Sequence, residues 1–142
     1  LEGRRLLREK FARIMAEHQE NAEQGADVAD EADLRFLRKV SDFVNRQLYL
    51  NKDVDVSRIS ENMCMSSRQF YRKINALTGY TPSAYILRLK IKRATNLIDK
   101  SPQISFGEVA DRCGFGDYSN FVRAFKNVMD ITPTEYRNRI EI

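Results

Sequence analysis

Two cysteines and one histidine are all the thiol and imidazole that these 142 residues offer. Neither Cys64 nor Cys113 has a Cys-x-x-Cys partner, and two thiols so spaced read as buried side chains in a reducing compartment, not as a disulfide or a metal site. His18 belongs to no His/Cys/Asp cluster at ligand spacing, and there is neither a Gly-x-Ser-x-Gly elbow nor a phosphate-binding loop. Catalysis is therefore not expected, and no cofactor or metal is implied. No apolar run approaches the ~18 residues that a membrane span needs. The start, LEGRRLLREK, has basic residues but no apolar signal core behind them, so the segment reads as cytoplasmic, with any membrane anchor lying elsewhere in a longer parent. Period-two alternation is missing too, which excludes a sheet and leaves an all-α chain.

What is present is charge, unevenly placed. The formal net charge is +4, but residues 1–33 hold five Lys/Arg against nine Asp/Glu, leaving nineteen against eleven in residues 34–142. The larger part is thus a basic body of net +8 behind an acidic segment of net −4. A basic surface on a small domain suits a polyanion, because each phosphate neutralised releases counterions.

The basic part also repeats itself. FYRKINALTGYTPSAY at Phe70–Tyr85 returns as FVRAFKNVMDITPTEY at Phe121–Tyr136, displaced by 51 residues. Two copies of one supersecondary unit on a fixed spacer make two equivalent surfaces at a set distance, which suits adjacent sites on a periodic polymer.

Helical signals place these copies. Residues 4–24 carry Leu7, Phe11, Ile14 and Met15 at helical spacing, and the acidic stretch GADVADEAD at 25–33 reads as a boundary. A first core stripe follows in Leu34, Leu37, Val40, Phe43, Val44 and Leu48, with Asp33 as its expected cap. In the first copy a short helix is predicted from Val56 to Met63 with Asp55 as cap, then one from Ser67 to Thr78 capped by Ser66 and ended by Gly79. Thr81-Pro82 opens a long helix to about Asp99. In the second copy Ser105 and Glu108 have capping-box spacing, and Cys113-Gly114-Phe115-Gly116 forms the turn. Asp117 then caps a helix from Tyr118 to Met129, and Thr132 with Glu135 forms another box around Pro133.

Short helix, tight turn, longer helix is the plan of a helix-turn-helix, whose second helix leaves its outer face free for a major groove. With Phe70, Ile74 and Leu77 inward, the first copy presents Arg68, Gln69, Tyr71, Arg72 and Asn75; with Phe121, Phe125 and Val128 inward, the second presents Tyr118, Ser119, Asn120, Val122, Arg123 and Lys126. Any amphipathic helix exposes such a mixture. A helical protein-interaction adaptor with a basic surface therefore stands as the alternative to double-stranded DNA. Duplication favours DNA, since Arg72 and Arg123 occupy the same position relative to a buried Phe.

TGYTPSAYILRLKIKRATNLI and, above all, VADRCGFGDYSNFVRAFKNVMDITPTEYR resemble the AraC/XylS type of bacterial transcription regulator over residues 34–140. The resemblance implies a seven-helix domain with helix-turn-helix units at about 55–79 and 105–130, joined by a bridging helix at 82–99. It also implies that the second helix of each unit enters one of two successive major-groove segments. Base contacts then fall to Arg68, Tyr71 and Arg72, and to Tyr118, Ser119, Asn120, Val122 and Arg123. Phosphate contacts fall to the helix starts at Ser66 and Asp117 and to Lys73, Lys126 and Arg137. The run Arg88, Lys90, Lys92, Arg93 reads first as the solvated face of the bridging helix, with direct phosphate contact as the lesser alternative. RNA polymerase is the implied protein partner, and association into homodimers is expected through upstream regions.

Cys64 and Asp130 depart from the pattern, standing where the family turn and the first copy's helix end have glycine. The opening RRLLREKFARI resembles the basic linker behind a receiver domain in hybrid two-component regulators; a terminal helix packed on its own domain is the other reading. With a start that is Leu-Glu-Gly and not Met, residues 1–33 are expected to join this domain to an upstream one.

Overall fold

The computed structural model describes residues 31–139, so the helix read at 4–24, with Leu7, Phe11, Ile14, Met15 and His18, lies outside the described residues. Among the described residues there are seven helices and no strand: α1 Glu31–Tyr49, α2 Val56–Asn62, α3 Ser67–Thr78, α4 Pro82–Lys100, α5 Phe106–Arg112, α6 Tyr118–Met129 and α7 Pro133–Asn138. None is long and apolar enough to cross a membrane.

The helix starts are set by side chains that satisfy first-turn N–H groups. Asp55, Ser66, Thr81, Ser105, Asp117 and Thr132 each accept from the backbone N–H three residues on. Full capping boxes close at Ser66/Gln69 and Thr132/Glu135. The box read at Ser105 and Glu108 is only half made. Glu108 gives its carboxylate to Arg112 at 2.8 Å, one helical turn along, leaving the Ser105 N–H outside the box. α1 also begins before its expected cap: Asp33 lies in its first turn and pairs with Lys73 at 3.4 Å.

Thr-Pro-x-x-Tyr is a helix-start device with a core anchor. Thr81 and Thr132 cap, Pro82 and Pro133 sit buried in the first turn, and Tyr85 and Tyr136 enter the core a turn later. Tyr136 is fully buried, donates its hydroxyl to Asp99 at 3.0 Å and carries the Arg139 guanidinium 3.4 Å from its ring centroid. Arg139 also donates to Asp99, closing a triangle that pins α7 to the end of α4. Burial holds the Tyr136 hydroxyl well above the usual tyrosine range.

Two hydrophobic cores result, and α4 belongs to both. Tyr85, Ile86 and Leu89 join α1, α2 and α3 in the first; Ile91, Ala94 and Ile98 join α5, α6 and α7 in the second. The second core is a run of edge-to-face aromatics, Phe115–Phe121–Phe125–Tyr136, with centroids 5.4, 5.7 and 5.6 Å apart. In the first, Phe36 lies against Phe70 with centroids 5.9 Å apart and the rings tilted by 51°. Phe36 is buried on α1 although it lies beside the expected stripe, while Leu34 and Phe43 on that stripe are only half-buried.

Both turns need a left-handed residue. Cys64 (φ 58°) and Gly114 (φ 77°) occupy equivalent places, since Met65 and Phe115 then donate to Ser60 and Ala110 in the same way. α2 and α5 are related by 50 residues but α3 and α6 by 51, so the second turn is one residue longer, the extra being Gly116. Gly79 (φ 78°) and Asp130 (φ 65°) end α3 and α6 in the same conformation. Both thiols are free, but only Cys113 is buried, which pushes its pKa up to about 12; Cys64 is exposed in its turn, against the expectation that both are core.

A β-carbon in the left-handed region costs about 1–2 kcal/mol, partly offset by the looser unfolded chain that glycine brings. Cys64→Gly is accordingly expected to stabilise by about 0.5–1 kcal/mol and raise the melting temperature by a few degrees in calorimetry. A lowered melting temperature would show that the Cys64 side chain contributes more than its backbone costs.

Candidate nucleic-acid interface

α3 and α6 are the second helices of two helix-turn-helix units, and each turns one face inward. Phe70, Ile74, Leu77 and Thr78 are buried on α3; Phe121, Phe125, Val128 and Met129 are buried on α6. Opposite them Arg68, Tyr71, Arg72 and Asn75 are exposed on α3, and Tyr118, Ser119, Asn120, Arg123 and Lys126 on α6. Four large hydrophobic residues are exposed among those described, and two of them, Tyr71 (48%) and Tyr118 (51%), stand on these two faces. An aromatic held in water on a recognition face offers a stacking or methyl-contact surface that no core requires.

On α6 the exposed side chains surround a shallow depression of about 620 Å³, lined by Tyr118, Ser119, Val122, Arg123, Lys126, Asn127 and Asp130. Val122 forms its apolar floor, half-buried against the second core. Asn127, not among the expected contacts, completes the rim one turn beyond Arg123. The signal for it was available, since Asn127 follows Arg123 at i+4 on the outward face.

Caps occupy part of this surface. The Gln69 side chain accepts from Ser66 N–H at 3.0 Å, and Asn120 donates its amide to Asp117 at 3.3 Å while its N–H bonds the same carboxylate at 2.7 Å. Asp117 thus places a negative charge at the start of α6, where Ser66 places a neutral hydroxyl at the start of α3. An incoming phosphate meets repulsion at the first and none at the second.

Two of the expected phosphate contacts are turned elsewhere. Lys73 lies against α1, its ammonium 3.4 Å from Asp33 and 4.6 Å from the Phe36 ring centroid. Arg137 stacks on Phe106 at 3.9 Å and donates to the Ile104 carbonyl, tying α7 to the start of α5. The basic run on α4 resolves residue by residue. Arg88 stacks on Tyr80 at 4.1 Å, Lys90 donates to Gly114 O at 3.4 Å, and Arg93 donates to Arg112 O at 3.3 Å; Lys92 is exposed. None of these tertiary partners could be found from local sequence, because each lies on another element.

A family profile described as a helix-turn-helix domain matches residues 59–139, more than half of the chain. The chain belongs to the AraC-type helix-turn-helix family. It is 29% identical over 139 residues to histidine kinase P4 of Formosa agariphila, covering 98% of this chain and 10% of that protein. It is 34% identical over 92 residues to the MmsAB operon regulatory protein of Pseudomonas aeruginosa, covering 65% of this chain and 30% of that one. The DNA-binding domain of AdpA, a global transcriptional factor solved in complex with a target DNA, superposes with a TM-score of 0.64 at 28% identity, covering 74% of this chain and 94% of that one. The chain thus spans a tenth of the first relative and under a third of the second.

AraC-type domains bind DNA in transcription regulation, and the adaptor alternative is not favoured. Within this AraC-type domain the geometry sorts the basic residues into two groups with different expected behaviour. Lys126→Ala should weaken DNA binding and reduce the slope of log K against log salt by about 1. Arg137→Ala should lower the melting temperature while leaving that slope unchanged, as read by fluorescence anisotropy across a salt series. An equal loss of slope from both variants would contradict the sorting.

Proposed function

We propose that this AraC-type domain reads one asymmetric duplex site per chain, with α3 and α6 in two successive major-groove segments. The observation that carries the reading is the matched pair of outward faces: Arg72 and Arg123 stand at the same position on two helices, flanked by exposed side chains that differ. Arginine offers a bidentate fork to guanine O6 and N7, contributing about 1–3 kcal/mol of discrimination. In the first segment Arg68, Tyr71 and Arg72 contact bases. In the second, Tyr118, Ser119 and Arg123 do so, with Val122 offering an apolar contact for a thymine methyl and Asn120 contributing once it leaves its cap. Ser66 and Lys126 contact phosphates; Asp117 orders the start of α6 more than it holds an anion.

The chain acts as the output module of a longer regulator. Its similarity to a histidine kinase along nearly its whole length supports a parent that joins sensing to DNA binding, with residues 1–33 as the connection. In that parent, phosphorylation upstream promotes homodimers, and the DNA-bound domain engages RNA polymerase.

Selection from a pool of random duplexes at moderate salt tests the core of the reading. One enriched asymmetric motif is expected. Arg72→Ala and Arg123→Ala should each relax preference at a separate position, the two about one helical turn apart. Binding with no enriched motif would return the adaptor reading.

A further inference from the structure

Between the two units lies a cleft of about 650 Å³, bordered by the loop after α1 (Asn51–Asp55) on one side and by Gly114–Gly116 on the other. Three elements converge at its base. Leu48, in the last full turn of α1, packs so closely on Gly114 that a β-carbon there would stand 2.6 Å from Leu48 Cδ2. From α4, Lys90 extends into the same place, its ammonium 3.4 Å from Gly114 O and 5.7 Å from the Phe115 ring centroid. One turn along the same face of α4, Arg93 donates to Arg112 O at 3.3 Å. Two cations of the bridging helix therefore meet the last carbonyls of α5 and its turn, the end where a helix favours positive charge. Asp53, from the first unit, lines the cleft with Lys90, so the ammonium stands between the two halves of the molecule. Burial lowers the pKa of Lys90, as expected for a cation drawn partly out of water.

The contact matters because it couples the recognition turn of the second unit to the body of the first. A base pair corresponds to about 35° of rotation, from the ~10 base pairs of a duplex turn. A pair of readers free to rock by a fraction of that would tolerate more than one spacing between their half-sites. We propose that the strut formed by Lys90, Gly114 and Leu48 fixes the rotational phase between α3 and α6, making Lys90 a positioning residue that sets the half-site spacing the domain accepts. The inference rests on the two-reader reading above. It assigns the specificity of spacing to a residue that need not touch DNA.

The duplex selected by the wild-type chain, remade with one base pair added or removed between its half-sites, supplies the test. Dissociation constants on the three duplexes are measured for the wild type, Lys90→Met, Gly114→Ala and the control Lys92→Met, a solvent-exposed position on the same helix. Lys90→Met keeps most of the stem over Phe115 and removes the ammonium; Gly114→Ala keeps the ammonium and forces Leu48 aside. The wild type and Lys92→Met should lose about tenfold or more on each altered spacing, in the range of a mismatched base pair. Lys90→Met should lose less than about threefold on at least one altered spacing, with circular dichroism and single half-site binding unchanged. Gly114→Ala should flatten the profile or shift its optimum. Wild-type spacing preference in both Lys90→Met and Gly114→Ala would overturn the strut while leaving the two readers in place. No spacing preference in the wild type itself would overturn the two-reader reading and the strut with it.

Discussion

α4 is one helix with two cores. Tyr85, Ile86 and Leu89 are buried with the first helix-turn-helix, and Ile91, Ala94 and Ile98 with the second, within nineteen residues that extend ~28 Å at the usual rise. A helix buried along both halves has little freedom to bend without opening one core. Everything functional hangs on that constraint, because each recognition helix packs against it and takes its orientation from it. The Tyr136–Asp99–Arg139 triangle at one end and the Tyr80–Arg88 stack near the other extend this anchoring to the flanking segments.

On this frame the two units divide constant from variable. The capped starts, the left-handed turn residue, the buried Phe and the Thr-Pro-x-x-Tyr anchor recur, and each answers a backbone or core requirement. The outward positions are subject to no such requirement, and there Arg68 and Tyr71 are matched by Ser119 and Val122. Only the arginine pair Arg72 and Arg123 is common to both faces. A duplicated scaffold has thus kept one shared arginine and diversified the rest, so the two outward faces differ in chemistry within a single chain. The longer second turn, with Gly116, and the aromatic run beneath it show that the scaffold itself has diverged where the core permitted.

Much of this was legible in the sequence because the determinants are local. Caps three residues before the N–H that donates to them, proline in a first turn and the spacing of buried Phe all act within a turn or two, so the boundaries of α2 to α7 follow from them closely. What was not legible was tertiary. Phe36 is buried beside the expected stripe because Phe70 lies across from it, and Asp33 is inside α1 because Lys73 reaches it. Glu108 satisfies a capping-box spacing yet pairs with Arg112, two local options of similar strength between which spacing cannot choose. Lys126, Lys73, Arg137, Lys90 and Arg93 look alike to a charge count; only packing separates the outward-facing Lys126 from those spent on Asp33, Phe106 or the carbonyls of Gly114 and Arg112. The turn at Cys64 was the exception: its departure from glycine, read from sequence, coincides with a left-handed backbone.

In the proposed arrangement one chain holds two unequal readers in fixed phase on one duplex. Hydroxyl-radical footprinting of the chain on its selected duplex, at protein concentrations where a single copy is bound, reads this directly. Two protected stretches on one face of the helix, about ten base pairs apart and covering different sequences, are expected. A single protected stretch, or a symmetric doublet that appears only when two chains bind, would contradict it.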